Sequence, residues 1–259
     1  MHRIVAIANF KGGTAKSTTA VNLGAALAEL GYSVLLIDLD SQASATAWLG
    51  AREDDGMPLF EAFSNPDGAL LPLVRPTAAS RLDLVATGKQ FVRAERELLS
   101  LPGHQSLLKG LVGQLPPRWD FVLLDCPPFA GTVTANAFGA AGEVLAPVEA
   151  SGMALDALAE LKNNVRFVRR GLNPRLCLSA VLPCRVRRTT RLGQDALAFL
   201  GEHYAPLLLG VVIRECVKVA ECWGHALPVM AYAPRSAAAE DYRQAALAFA
   251  RREACDVAA

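Results

Sequence analysis

FKGGTAKSTTAVNLGAALAELG, residues 10–31, lies between two short apolar runs, RIVAIAN (3–9) and YSVLLIDLD (32–40). The flanking runs have strand character, the stretch between them has helical periodicity, and Gly31 stands where a helix takes its left-handed C′ residue. The three together make one βαβ unit. At its first turn, Gly12 and Gly13 precede Lys16-Ser17-Thr18. Successive backbone N–H groups can close around an anion there, and the helix N-terminus adds partial positive charge. The common phosphate loop, G-x-x-x-x-G-K-[ST], nevertheless requires glycine where this chain has Phe10 and Ala15. A Gly-Gly turn capped by Ser or Thr also opens ordinary helices, so this segment alone leaves two readings open.

Two acidic strand ends favour phosphate. LLIDLDSQ closes a strand with Asp38 and Asp40, which alternation puts on one side of it, at the end where Gly12 and Lys16 are expected. VLLDCPP ends another apolar strand in Asp125 before two prolines, as a Walker B aspartate does when it holds the water shell of Mg²⁺. Lys16 would then reach the β- and γ-phosphates and the Ser17 hydroxyl would bind the metal. Strand-terminal aspartates are common turn formers, but three such features in chain order form a pattern.

The remaining chain extends the βαβ theme. Further strands are expected at 81–87, 120–126, 143–149, 175–182 and 206–213, and helices near 90–100, 103–114, 132–140, 151–171, 189–203 and 236–253. Continuous apolar strands alternating with helices predict an α/β fold: a mainly parallel, twisted sheet of about seven or eight strands with helices on both faces. Its ligands belong at the carboxyl ends of the strands. No linker-like tract or internal repeat interrupts the 259 residues, so a single domain over 1–259 is expected. With 52% apolar residues the chain can bury a substantial core, which excludes wholesale disorder. It has no charge-free apolar run of 18 residues and no basic leader, which predicts a cytoplasmic protein. The six cysteines lack C-x-x-C spacing, so they are read as incidental thiols, not an Fe–S or disulfide framework.

A net charge of +1 conceals an asymmetry, with −6 over residues 1–160 and +7 over 161–259. Residues 161–194 carry nine Lys or Arg and no acid. By itself that stretch reads first as a solvated basic face, with a polyanion site as the alternative.

KGGTAKST (11–18), VLLIDLDSQASAT (34–46), DFVLLDCPPFAG (120–131), VVIRECVKVAECWGHALPV (211–229) and YAPRSAAAEDY (232–242) resemble the ParA/MinD family of deviant Walker ATPases, ParA more than MinD. The likeness covers nearly the whole chain and is weakest between about 50 and 118. It explains the failed pattern, because the family's loop is K-G-G-x-G-K-[ST], with a signature lysine where Lys11 stands. The resemblance implies ATP and Mg²⁺ as ligands, and residues 11–18 (Lys11, Gly12, Gly13, Thr14, Ala15, Lys16, Ser17, Thr18) as the nucleotide loop. It assigns Lys11, Lys16 and Asp40 to catalysis, with Lys11 reaching the phosphates of the other subunit in an ATP-dependent homodimer and Asp40 orienting the attacking water. Ser17, Asp38 and Asp125 are placed at the metal, Asp38 as the switch aspartate. Two positions depart from the pattern: Ala15 replaces a glycine, and Ser41 replaces a proline.

The resemblance also sets the partners. MinD-like members end in a basic membrane-binding helix, whereas AEDYRQAALAFARREACDVAA mixes acids with its bases and is expected to pack on the domain, with no membrane contact. ParA-like members bind double-stranded DNA without sequence preference, which turns the acid-free stretch into a candidate DNA face: Arg185, Arg187, Arg188 and Arg191, joined by Lys218. The first strand begins at Arg3, so no operator-reading helix-turn-helix region is expected before it. The expected protein is a nucleoid-associated partition ATPase whose hydrolysis is stimulated by a ParB-like or adaptor partner. Its cargo is a plasmid, a chromosome or a protein assembly. The alternative is a nucleotide-gated binding module with negligible hydrolysis, suggested by Ala15.

Overall fold

A computed structural model describes residues 2–52, 57–65, 67–149 and 152–253. Its strands are β1 (Arg3–Ile7), β2 (Val34–Asp38), β3 (Val74–Pro76), β4 (Leu82–Val85), β5 (Phe121–Asp125), β6 (Glu143–Glu149) and β7 (Cys177–Cys184). They form one sheet in the order β3-β4-β2-β5-β1-β6-β7, parallel throughout except where β3 runs against β4. Around it lie α1 (Lys16–Glu29), α2 (Ser44–Trp48), α3 (Met57–Ser64), α4 (Ala94–Glu97), α5 (Leu107–Gly113), α6 (Thr132–Ala140), α7 (Gly152–Gly171), α8 (Arg191–Tyr204), α9 (Val217–Trp223), α10 (Val229–Tyr232) and α11 (Ala237–Arg251). This is the expected α/β architecture.

Strand alternation divides the core into two layers. Val5, Ile7, Leu36 and Leu123 face a layer completed by Val21 and Leu27 of α1 and by Tyr242 and Phe249 of α11. Ala6, Leu35, Ile37 and Leu124 face the opposite layer, where Phe138 of α6, Leu161 of α7 and Leu200 of α8 pack. All these side chains are almost fully removed from water, which is why the strands read as continuous apolar runs. Gly24 lets α1 approach the sheet closely: a β-carbon there would meet Leu82 Cδ1 at 3.2 Å and Leu123 Cδ1 at 3.3 Å. Strand order reverses around β1, with β5 and β2 on one side and β6 and β7 on the other. The carboxyl ends at that reversal are where an open α/β sheet takes its ligand.

The structure departs from expectation in four places. The apolar segment 206–213 is not a strand; it holds a 3₁₀ turn at Ala205–Leu207 and touches its neighbours through isolated bridges, Val181 with Leu208 and Val186 with Arg214. Pro206 in the turn lacks an N–H, and too little extended chain remains to build a ladder. The helix expected over 90–100 is a succession of 3₁₀ (Lys89–Arg93), α4 and 3₁₀ (Leu98–Ser100). The edge strand β3 was not expected, nor were the short helices α2, α3, α9 and α10. Cys126, Cys184, Cys216 and Cys222 are free thiols as expected, but Cys177 is disulfide-bonded.

Candidate active site

Beyond β1 the chain is anchored by Asn9, whose Nδ2 donates to the Pro147 carbonyl at 2.8 Å while its Oδ1 accepts the Lys11 N–H at 3.2 Å. The loop then turns through Gly13, φ 77°, and Ala15, φ 66°. Glycine adopts this left-handed region freely; for alanine it costs on the order of 1 kcal/mol. The departure at Ala15 is therefore a strained backbone, and α1 starts from it, since the Thr19 N–H donates to the Ala15 carbonyl at 2.8 Å. Thr14 Oγ1 and Lys16 Nζ both donate to the Lys11 carbonyl, each at 3.2 Å. Lys16 is buried, and burial lowers its ammonium's affinity for the proton despite the opposing fields of Asp125 and Asp40.

In-register pairing of β2 with β5 sets Asp38 beside Asp125. The two carboxylates nonetheless have different surroundings. Asp38 Oδ1 accepts the Asp40 N–H at 3.1 Å, and Oδ2 accepts the Thr46 N–H and hydroxyl at 2.8 Å each. Burial pushes its pKa up to about 7 against those donors. Both oxygens of Asp125 are buried without a hydrogen bond. Burial, followed by the charge of Asp38, raises its pKa well above the carboxylate range, while the nearby Ser17 hydroxyl and Lys16 pull the other way. Asp40 lies beyond β2 in a tight turn, where its Oδ1 accepts the Gln42 N–H at 3.0 Å and its carbonyl accepts the Ala43 N–H at 2.7 Å.

An orphaned buried carboxylate next to a serine hydroxyl suits a hard dication. No group of three or more His, Cys, Asp or Glu among the described residues could cage a metal alone. Mg²⁺ fits that arrangement, because it keeps waters and phosphate oxygens and needs only one or two protein oxygens. Ser17 and Asp125 are suited to that role. Asp38, grouped with them in the sequence reading, has both oxygens engaged and instead holds the segment from Asp40 to Thr46.

A cavity of roughly 950 Å³ opens over the loop. It is lined by Gly12, Gly13, Ala15, Lys16, Ser17 and Thr18 of the loop, by Asp40 and Trp48, and by Arg185, Arg187, Glu215 and Trp223. Trp48 Nε1 donates to the Leu227 carbonyl at 2.9 Å, tying α2 to the segment before α10.

Of the candidate DNA residues, the structure brings Arg185 and Arg187 onto this cavity. Arg185 Nη1 reaches the Gly13 carbonyl at 3.5 Å and Glu149 at 3.5 Å. Arg188 lines a second, smaller cavity of roughly 460 Å³ together with Arg214 and Asp241. Arg191 opens α8 and projects almost wholly into solvent, and Lys218 lies on α9. Sequence reasoning missed Thr46, Glu149, Glu215 and Trp223. Glu215 and Trp223 fall inside the 211–229 stretch quoted for its resemblance, but nothing in that stretch signals what they touch.

Residues 2–178 match the model of the AAA domain family. The chain is 34% identical to the sporulation initiation inhibitor protein Soj of Bacillus subtilis over 93% of its own length and 96% of that protein's. It is 38% identical to the chromosome-partitioning ATPase Soj of Thermus thermophilus, covering 94% of each chain. Among solved structures, cobyrinic acid a,c-diamide synthase from Mycobacterium smegmatis with bound ADP and magnesium superposes with a TM-score of 0.85 at 30% identity, over 97% of this chain and 95% of that one. With its deviant loop and this relatedness over nearly the whole length, the chain belongs to the AAA domain family and, within it, to the ParA/MinD-like partition ATPases, with ATP and Mg²⁺ as ligands.

Proposed function

We propose that ATP joins two copies of this chain into a dimer that binds duplex DNA without sequence preference, and that a partner protein releases the dimer by stimulating hydrolysis. The observation that carries this reading is one cavity lined both by a lysine-bearing phosphate loop and by the arginines Arg185, Arg187 and Arg214. Lys16 and the N–H groups of residues 12–18 hold the phosphates, and Lys11 serves the partner copy. The Ser17 hydroxyl and the Asp125 carboxylate would hold Mg²⁺, which would supply charge neutralisation at the phosphates. Asp38 fixes the turn that carries Asp40, and Asp40 orients the attacking water. Phosphoryl transfer relies mostly on positioning and charge, which is what these groups provide. Arg185, Arg187, Arg188, Arg191 and Lys218 contact DNA phosphates, and the complex resides on the nucleoid. Its cargo is DNA carried through a ParB-like protein, or a protein assembly carried through an adaptor.

The test is ATP turnover measured with and without duplex DNA and the product of the neighbouring gene. Turnover should be weak alone, rise with both additions and be lost in Asp40→Ala. An unstimulated rate that Asp40→Ala leaves unchanged would sink the proposal. The likeness to the diamide synthase carries a second reading, ATP-dependent activation of a small-molecule carboxylic acid; turnover that responds to cobyrinic acid and not to DNA would establish it.

A further inference from the structure

Four of the five basic residues assigned to DNA already hold a carboxylate. Arg185 pairs with Glu149 at 3.5 Å, Arg187 with Glu215, Arg191 with Asp195 at 4.0 Å and Lys218 with Glu221 at 2.7 Å. The Arg187–Glu215 pair differs from the other three in having both members on the wall of the nucleotide cavity. Its geometry is set by backbone. The Val186 N–H donates to the Ile213 carbonyl at 3.1 Å and the Glu215 N–H to the Val186 carbonyl at 3.3 Å, a parallel bridge that lays Arg187 alongside Glu215. The second segment is held from behind, because the Arg214 N–H and guanidinium both bind the Asp241 carboxylate, at 2.9 and 2.6 Å. The backbone is therefore clamped, and only the two side chains have freedom to separate.

The pair is strong enough to form and weak enough to break. The side chains of Arg187 and Glu215 are 66% and 34% exposed, so water screens the pair and it is held only weakly. A triphosphate in the same cavity repels the Glu215 carboxylate and attracts the Arg187 guanidinium, so its field pulls the two partners in opposite directions.

Resting on the DNA reading above, we propose that Glu215 is a positioning residue that masks Arg187 from DNA in the nucleotide-free chain, and that ATP in the shared cavity parts the pair. DNA binding then depends on nucleotide within each copy, in addition to any dependence through dimerisation.

The experiment is retention of random-sequence duplex DNA by the full chain, without nucleotide and with ATP, over a salt series. Wild-type protein should retain DNA only with ATP. Glu215→Gln should retain it several-fold more tightly than wild type without nucleotide, its log–log salt slope steeper by ~0.9 for one added phosphate contact, and it should still bind with ATP, which shows that it folds. In Glu215→Gln/Arg187→Gln the nucleotide-free gain should vanish. No gain in Glu215→Gln overturns the mask, and so does a gain that survives Arg187→Gln, since that is a field effect of the lost charge. Wild-type protein that ignores DNA even with ATP overturns the DNA reading itself, and the mask falls with it.

Discussion

Asp38 binds both donors of Thr46, its backbone N–H and its hydroxyl, at 2.8 Å each, across the turn that carries Asp40. The same hydroxyl accepts the Thr87 N–H at 3.0 Å, so one buried chain of hydrogen bonds runs from the end of β2 through α2 to the end of β4. Two aspartates that alternate in sequence therefore have separate tasks. Asp38 faces inward and fixes the segment, while Asp40 stays on the cavity wall.

The raised pKa of Asp38 makes the ligand-free fold sensitive to pH in a definite direction. Its carboxyl titrates near 3.8 in an ordinary setting and near 7 in the fold. The folded state therefore holds a proton that the unfolded chain has lost, and stability falls as pH rises between those values. Asp125 acts in the same direction. Without nucleotide or metal, the Tm should drop by several degrees from pH 5 to pH 7.5, and Asp38→Asn should lose part of that slope. Equal slopes in wild type and variant would show that Asp38 does not carry the effect.

Ala15 adopts φ 66° and ψ 31° at the start of α1. Ala15→Gly should relieve a left-handed alanine worth on the order of 1 kcal/mol, less what glycine's freedom in the unfolded chain returns. The expected result is a Tm higher by about 1–4 °C, with ATP turnover at least as fast. A lower Tm in the variant would mean that packing of the Ala15 methyl group outweighs the strain.

Much of this was legible because the site is local in sequence. A strand, a Gly-Gly turn, Lys16 and a helix lie within thirty residues, and Asp38 and Asp125 each end an apolar run. The left-handed backbone at Ala15 was visible as a missing glycine. What stayed hidden depends on contacts between distant segments. Thr46 is an ordinary helix residue until Asp38 meets it, and Glu215 is a surface acid until the Val186–Arg214 bridge brings it to Arg187. Secondary structure failed in the same way. PLLLGVVI is apolar enough for a strand, but only its position relative to β7 decides that it makes isolated bridges, and β3 is too short to leave a pattern in sequence.

Asp125 provides the sharpest separation between stability and ligand binding. Its two oxygens have no hydrogen bond, and burial, followed by the charge of Asp38, raises its pKa well above the usual carboxylate range. Asp125→Asn keeps the size of the side chain and removes a carboxyl group whose charge burial disfavours, so the ligand-free Tm should fall by no more than a degree or two. Mg²⁺ changes the balance, because an ion held through Ser17 restores the charge partner that the buried carboxylate lacks. In wild type, adding Mg²⁺ to protein saturated with a non-hydrolysable ATP analogue should raise the Tm, with the stabilisation that a ligand specific to the folded state confers. In Asp125→Asn the Mg²⁺-dependent part of that rise should shrink severalfold while the rise from the analogue alone persists through Lys16. If both parts survive intact, Asp125 is not a magnesium residue; if both disappear, the substitution has damaged the loop itself.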